Sequence, residues 1–221
     1  MVDSALLTET DFFRDLTEAD LGFLLPTCTI RTLRRGDLLF EEGDDCSELF
    51  IVSSGLVAIS KKSLDGRESV VALMERGELF GEMGMLDGLG RSAEARALEP
   101  SEVIAIPYAP IRELFEQQPA LLWGTTAMLV GRLRAMDEAL ADSVFLDVTG
   151  RTAKRLLEMA GDADEFYLPV TQEELAGMVG ASRERVNKAL AMFTRLGWVE
   201  VTGRSRYHIL DREALELRAN P

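Results

Sequence analysis

The sequence has little of the chemistry that metalloproteins, redox proteins and many enzymes need. Its 221 residues include one histidine, His208, and two cysteines, Cys28 and Cys46. Two thiols are too few for a disulfide framework or a four-thiolate metal site. No nucleophile–base pair is recognisable around a single histidine. We therefore expect a protein that is not an enzyme and that carries no metal, haem, iron–sulfur cluster or other cofactor.

Long apolar runs are also missing. No stretch of about 18 uncharged apolar residues occurs, and the first ten residues carry acids without the basic flank of a signal peptide. The composition, 47% hydrophobic and 28% charged, is typical of a soluble globular protein. We expect a cytoplasmic location, no membrane partner, and one large or two modest domains.

Basic residues are scarce, and their distribution along the chain is more informative about possible partners than the net charge of −14. Residues 1–149 hold 13 Lys and Arg against 27 Asp and Glu, whereas residues 150–221 hold 11 of each. Between Thr171 and Arg206 six basic residues face four acidic ones. Charge asymmetry of this kind indicates two domains with different partners, of which the smaller, less acidic one can approach phosphate.

Between Thr29 and Pro107 short β-rich runs alternate with Gly, Asp and Ser. This is the pattern of an all-β roll or barrel. Turns are predicted at 42–44, 54–55 and 65–66, where glycine can supply a positive φ. The predicted strands include the runs Leu38–Phe40, Leu49–Val52, Leu56–Ile59, Val70–Leu73 and Val103–Ile106.

A short helix is predicted over Pro110–Gln117, and a much longer one follows Pro119. The apolar positions of the longer helix lie three or four residues apart, which places them in one narrow stripe. A helix packed on its own β domain could show such a stripe. Its length and the charges beside it favour a seam between two copies, so we predict a homodimer through residues 119–145. The stripe consists of Leu122, Thr126, Leu129, Leu133, Met136, Leu140 and Val144.

Residues Gly77–Glu94 form the most informative segment of the first part, because they combine five glycines with donors and an acceptor. The glycines permit a tight backbone whose N–H groups can approach an anion. Arg91 can pair two donors with two phosphate oxygens, and Ser92 adds a hydroxyl. Glu82 is an acceptor suited to a sugar hydroxyl. The set suits a nucleotide, although a solvated β-turn with a surface Arg–Glu pair would show the same spacing.

The runs Phe80–Glu82 and Arg91–Ala93 closely resemble the phosphate-binding cassette of cyclic-nucleotide-binding domains, and Gly36–Asp44 and Leu49–Gly55 resemble the strands and turn that precede it. In that family a glutamate holds the ribose 2′-hydroxyl, and an arginine and a serine hold the cyclic phosphate. The resemblance implies these roles for Glu82, Arg91 and Ser92, with help from backbone groups of Gly81 and Met83.

After a bend predicted at Gly150, the sequence carries the pattern of a helix-turn-helix. A helix is expected from Thr152 to Met159. Thr171 followed by Glu174 reads as a capping box that begins a second helix. Gly180 then makes a turn, and Ser182 caps a third helix.

Charged and polar side chains crowd the exposed start of that third helix. Arg or Lys can donate to guanine in the major groove, Glu can accept from cytosine, and the others can meet phosphates. Surface charges on an ordinary helix would look similar. Residues Trp198–Ile209 favour DNA, because they predict a β-hairpin with a basic tip, the wing of a winged helix, on which His208 is a structural residue. The predicted DNA-binding residues are Thr171, Gln172, Ser182, Arg183, Glu184, Arg185, Asn187, Lys188 and Arg204.

The chain from about Leu16 to Asp211 resembles the bacterial catabolite activator/fumarate-nitrate regulator superfamily, and Phe145–Arg151 and Val179–Leu190 resemble its cyclic-AMP receptor branch. The resemblance implies an α+β fold: an N-terminal β-roll of the cyclic-nucleotide-binding type, a long dimerisation helix and a C-terminal winged helix-turn-helix. The implied partners are double-stranded DNA with a palindromic TGTGA-like site and RNA polymerase. The implied segments are 1–118, 119–145, a hinge at 146–150, and 151–221.

In the cyclic-AMP receptor branch Arg183, Glu184 and Lys188 match the base readers, with Lys where many members have Arg. The resemblance leaves the effector's base open, because Met136 and Asp137 replace the Thr and Ser or Asn that meet adenine in that branch. Asp137 can accept from adenine, it can favour guanine, or the pocket can hold a different effector or none. Cyclic AMP is the first expectation, and cyclic GMP and cyclic di-GMP are the alternatives. A rival function is a nucleotide-binding scaffold that acts on protein rather than DNA.

Overall fold

The structure is a computed structural model that describes residues 3–63, 68–203 and 205–220. It confirms the α+β fold class. The chain divides into two compact units, residues 1–61 with 72–134 and residues 62–71 with 135–221. None of the described helices is long and apolar enough to cross a membrane. The predicted turn at 65–66 and Arg204 lie outside the described residues.

The helices and strands alternate irregularly along the chain. The helices are α1 (Ser4–Glu9), α2 (Glu18–Leu24), α3 (Met83–Asp87), α4 (Tyr108–Gln117), α5 (Leu122–Phe145), α6 (Val148–Ala160), α7 (Gln172–Val179), α8 (Arg183–Leu196) and α9 (Arg212–Ala219). The strands are β1 (Thr29–Leu33), β2 (Leu38–Phe40), β3 (Glu48–Ser54), β4 (Val57–Lys62), β5 (Glu68–Met74), β6 (Leu79–Phe80), β7 (Glu94–Ala97), β8 (Ser101–Pro107), β9 (Glu165–Tyr167), β10 (Val199–Thr202) and β11 (Arg206–Ile209).

Two four-stranded sheets build the β-roll, with strand orders β1-β8-β3-β6 and β2-β7-β4-β5. The five predicted runs all fall on strands of these sheets, and β1, β6 and β7 add to them. The sequence of β3 is apolar without interruption from Leu49 to Val52, and the packing of the strand explains why. Leu49 and Ile51 pack against the helices, whereas Phe50 and Val52 pack against the second sheet. Both faces of β3 are covered, so alternation with polar residues is lost.

The helices of the first unit cover one face of the first sheet. Helix α4 begins two residues earlier than predicted, at Tyr108, because Pro107 occupies its N-cap. Helix α5 follows a 3₁₀ turn at Pro119–Leu121 and runs for 24 residues. Of its described residues, Gly124 and Thr125 are the two that are buried. The predicted apolar stripe therefore lies on the surface of the single chain.

The second unit contains α6 to α9 and a sheet of order β10-β11-β9. Strands β10 and β11 form the predicted wing hairpin, in which His208 lies between buried Tyr207 and Ile209. Strand β9 and helix α9 were not predicted. The capping box is confirmed: the Thr171 hydroxyl accepts from Glu174 N–H at 3.2 Å, and the Glu174 carboxylate accepts from Thr171 N–H at 2.6 Å.

Two local predictions in the second unit need correction. Gly150 is not a bend, because it lies in the first turn of α6, and a Cβ there would stand 3.0 Å from the carbonyl oxygen of Arg218 in α9. Glycine is needed for this close helix approach rather than for flexibility. Ser182 is the N-cap residue of α8, but its side chain makes no capping hydrogen bond. The Gly180 turn is as predicted, with a φ of 67°.

Candidate functional site

The glycine-rich segment becomes a strand end, a one-turn helix and a loop. Strand β6 ends at Phe80, Gly81 turns the chain with a φ of +81°, and α3 follows. The loop after α3 is fixed to the β2–β3 loop, because Arg91 N–H donates to the carbonyl of Asp44 at 2.9 Å and Gly43 N–H donates to that of Arg91 at 2.8 Å. Gly81 and Arg91 are thereby held side by side.

Gly81 is required by space as well as by its backbone angle. A Cβ at this position would lie 2.6 Å from Nη1 of Arg91, so a side chain here would require the Arg91 guanidinium to move. Arg91 Nη1 uses that space to donate to the Gly81 carbonyl at 2.9 Å.

Arg91 is buried, with 8% of its surface exposed. Its Nη1 also donates to the hydroxyl of Tyr108 at 3.2 Å, and its Nη2 donates to the carbonyl of Glu48 at 2.8 Å. The guanidinium stacks over the ring of Phe40 at 4.1 Å and stands 5.2 Å from that of Phe50. Packing and hydrogen bonds therefore fix this cation in one orientation.

Nη1 and Nη2 make these three bonds, and Nε makes none of them. Nε is buried and has no partner among the described residues. The Nε–H group of an arginine lies on the edge that can pair side-on with a phosphate. Arg91 therefore keeps a buried anion donor unused.

Glu82 is the buried acceptor of the site, with 1% of its surface exposed. Its carboxylate forms an ion pair with Arg132 of α5, which also donates to the carbonyl of Leu79. A buried carboxylate without a cation would be costly, so Arg132 provides the charge balance.

These groups line one cleft on the surface of the first unit. Of the predicted effector residues, Gly81, Glu82, Met83, Arg91 and Ser92 all line it. Ser92 is exposed, and its hydroxyl contacts the sulfur of Met83 at 3.3 Å. Phe40, Ile59, Met74, Phe80, Gly84, Ala93 and Arg132 complete the lining.

The helix-turn-helix of the second unit consists of α7 and α8, which contact each other; Ala176, Val179 and Val186 are among their buried residues. Arg151 of α6 holds the end of α7 by donating to the Val179 carbonyl at 2.8 Å, and it also donates to the Leu146 carbonyl at 2.7 Å. The first turns of α8 project into solvent. Their exposed residues include Ser182, Arg183, Glu184, Arg185, Asn187 and Lys188.

Two of the predicted base readers pair with each other in the free chain. Lys188 Nζ lies 2.6 Å from Glu184, one helical turn away. The hydrogen bond and charge of Lys188 lower the pKa of Glu184 below its ordinary value. Thr171 is exposed, and half-buried Gln172 donates to the hydroxyl of Tyr207 at 3.1 Å.

Two known domain families match this chain, one in each of its two parts. A cyclic nucleotide-binding domain matches residues 30–118, and a Crp-like helix-turn-helix domain matches residues 150–218. A CRP-like cAMP-activated global transcriptional regulator of Mycobacterium tuberculosis is 37% identical over 192 residues, which cover 84% of this chain and 85% of that protein. The chain belongs to the CRP/FNR family.

Two further members of known function or structure are similar to this chain. The cAMP-activated global transcriptional regulator CRP of Escherichia coli is 31% identical over 196 residues, 86% of this chain and 93% of that protein. The solved structure of CLP, a c-di-GMP-responsive global regulator of Xanthomonas campestris, superposes with a TM-score of 0.76 at 26% identity, covering 87% of this chain and 99% of that one. The protein is thus a DNA-binding transcription regulator with a cyclic nucleotide-binding domain.

Met136 and Asp137 remain predictions as effector residues of this CRP-like regulator. Both are exposed on α5, in the second unit, whereas the cleft belongs to the first.

Arg132 and Tyr108 were not among the predicted site residues. Arg132 is one of the charges beside the apolar stripe, and its position one helical turn before Met136 was the signal that could have revealed it. Nothing in the sequence pattern marks Tyr108.

Proposed function

We propose that the regulator is switched by a cyclic nucleotide that binds between Arg91 and Glu82, with cyclic AMP the foremost candidate. The observation that carries this proposal is the unused Nε donor of buried Arg91 in the same cleft as a buried carboxylate. An anion donor beside a sugar acceptor suits a ligand with one phosphate and one ribose. The names of the cAMP-activated relatives agree with this choice.

In this proposal the cyclic phosphate takes the unused Nε donor of Arg91 and the hydroxyl of Ser92. Backbone groups at Gly81 and Met83 assist. Glu82 accepts from the ribose 2′-hydroxyl while Arg132 keeps its charge balanced. The phosphate adds a strong, charge-assisted pair to Arg91 without requiring that its three existing hydrogen bonds be broken.

Calorimetric titration of the purified chain with cyclic AMP, cyclic GMP and cyclic di-GMP tests the proposal. Arg91→Ala should abolish binding and leave the fold intact. The matched control is Arg76→Ala, which removes a surface arginine whose bond is to the Ser53 carbonyl and which does not line the described cleft. Absence of heat from cyclic AMP at millimolar ligand would reject it as the effector.

Cyclic di-GMP is the second candidate, and Asp137 supports it. A carboxylate accepts from the two adjacent N–H donors of guanine, which adenine lacks. The Xanthomonas relative is named as responsive to this dinucleotide. Asp137→Asn should weaken binding of a guanine nucleotide and leave that of cyclic AMP within a few-fold if guanine is the base that Asp137 reads.

We propose that the active form is a homodimer joined along α5. The supporting observation is the exposed apolar stripe, in which Leu133, Met136, Leu140 and Val144 are between 57% and 69% exposed. An exposed apolar surface of this kind is typically buried against a partner, and a second copy of the chain provides an identical stripe. Sedimentation of Leu133→Glu should show a monomer, whereas Glu138→Lys, a change beside the stripe, should sediment as the wild type does.

We propose that α8 reads a palindromic, TGTGA-like DNA site through Arg183, Glu184 and Lys188, with RNA polymerase as a further partner. The proposed domains are 1–118, 119–145, 146–150 and 151–221, acting in the cytoplasm where bacterial DNA lies. Gel shifts on such a site at several salt concentrations test the DNA contact. Affinity that does not change with salt would argue for a protein partner instead.

A further inference from the structure

Tyr108 connects both sides of the contact between Gly81 and Arg91. It is the first residue of α4 and is 4% exposed, and its N–H donates to the carbonyl of Ser47 at 2.8 Å. Its hydroxyl donates to the Gly81 carbonyl and accepts from Arg91 Nη1 at 3.2 Å. Both roles of this hydroxyl are therefore used inside the phosphate-binding segment.

This bond determines how the Arg91 guanidinium can rotate. The Phe40 ring restrains tilting, and the carbonyls of Gly81 and Glu48 each hold one nitrogen. Nη1, the Tyr108 hydroxyl and the Gly81 carbonyl contact one another in a closed triangle. Loss of the Tyr108 hydroxyl would remove one of the two partners that hold Nη1, while Nε makes no bond that could take over this role.

Tyr108 acts from behind the arginine. Among the described residues, the lining of the cleft includes Arg91 but not Tyr108. Burial raises the pKa of the Tyr108 phenol far above its ordinary value, so the hydroxyl stays neutral and keeps both hydrogen bonds through the physiological pH range.

We propose that Tyr108 is a positioning residue for phosphate recognition: it fixes the rotation of Arg91 and so selects which exocyclic oxygen of the effector's phosphate receives the guanidinium. This inference rests on the proposed cyclic-nucleotide function. It adds that one of the two exocyclic oxygens is selected, which binding of the phosphate by Arg91 and Ser92 does not by itself require.

The two exocyclic oxygens of a cyclic phosphate can be told apart by replacing one of them with sulfur. The Rp and Sp diastereomers of adenosine 3′,5′-cyclic phosphorothioate carry sulfur, a weaker acceptor, at opposite positions. A fixed guanidinium should bind one diastereomer better than the other. The ratio of the two dissociation constants therefore measures the direction of the guanidinium, which a general loss of stability would not change.

The experiment compares the full-length wild type with Tyr108→Phe, which removes one oxygen and keeps the ring. We expect the preferred diastereomer to bind about tenfold more weakly and most of the preference to disappear. Tyr207→Phe is the matched control, because it removes a hydroxyl from another buried tyrosine that bonds Gln172 in the other unit. It should leave both dissociation constants unchanged.

A second readout needs no ligand. In the wild type the two Nη groups of Arg91 should give separate ¹⁵N NMR signals because rotation about Nε–Cζ is slow, and Arg91→Ala identifies them. Tyr108→Phe should merge or broaden these signals.

A variant that keeps both the diastereomer preference and the separate signals would overturn the inference. A wild type that binds neither diastereomer would count against cyclic AMP as the effector, and the NMR signals would then still decide whether Tyr108 fixes Arg91.

Discussion

The guanidinium of Arg218, in the last turn of α9, donates to the Asp147 carboxylate that caps the first turn of α6. Asp147 also accepts from Gly150 N–H at 2.8 Å. The C-terminal helix is therefore tied to the segment that joins α5 to the DNA-binding helices.

The pKa of Asp147 lies below its ordinary value, first through the Gly150 N–H and then through Arg218. A lowered pKa stabilises the folded state above the unfolded value of about 3.9, and this stability is lost as the pH falls through the folded value. We predict that Asp147→Ala costs about 1 kcal/mol at pH 7. Urea unfolding should show the difference shrinking towards pH 3, and a difference that grows on acidification would contradict the assignment.

Arg218→Ala should cost about 0.5 kcal/mol at pH 7, because this ion pair is partly exposed. The effect should fall in the Asp147→Ala background, where Arg218 has lost its carboxylate. Strictly additive losses in this double-mutant cycle would show that the pair contributes no coupling.

Gly81→Ala should abolish effector binding and destabilise the first unit by about 1–3 kcal/mol, because the new Cβ meets Arg91 and the backbone angle is strained. Gly88→Ala is the matched control. Gly88 also has a positive φ, of 74°, but a Cβ there would have no neighbour within 4 Å among the described residues. Calorimetry and urea unfolding of both variants separate the two causes: equal losses of binding would mean that the contact with Arg91 is irrelevant.

Lys188→Arg should strengthen binding to a TGTGA-like site by about 1–3 kcal/mol, because arginine can contact guanine through two hydrogen bonds and lysine cannot.

Arg183→Ala should weaken binding to that site by a similar free energy and relax specificity at one base pair. Gel shifts on sites changed at single base pairs measure both effects. Uniform weakening of Arg183→Ala on all sequences would assign this residue to phosphate instead.

Cys28 should react slowly with alkylating reagents at neutral pH. Burial raises its pKa to about 11, and its thiol donates to the Leu24 carbonyl at 3.4 Å. Because the thiolate is the reactive form, only about 0.1% of Cys28 is reactive at pH 8. In a Cys46→Ser background, mass spectrometry should show the alkylation rate rising about tenfold per pH unit from pH 7 to 10. A plateau near pH 9 would contradict this pKa.

Local sequence patterns predicted much of the fold. The apolar runs of the β-roll, the glycine turns and the Thr171 capping box depend on neighbours along the chain, and all of those within the described residues form as expected. Strands β6 and β9 have two and three residues, too few for a period to show. The role predicted for Gly150 was wrong because glycine is needed there for contact with helix α9, which begins more than 60 residues later.

The site was predictable to the extent that it is one continuous segment. Residues 81–92 carry the donors, the acceptor and the glycines together. Arg132 and Tyr108 come from α5 and α4, and only the folded chain brings them to Glu82 and Arg91. Periodicity identified the face of α5 that is apolar, but it could not identify which charged neighbour of that face reaches a buried carboxylate.

Helix α5 is almost entirely exposed within the single chain, since Gly124 and Thr125 are its two buried positions among the described residues. A 24-residue helix with so little burial gains little from tertiary packing within one chain. In the proposed homodimer a second copy covers this helix, and stability becomes a function of protein concentration. The melting temperature should then rise as the protein is concentrated.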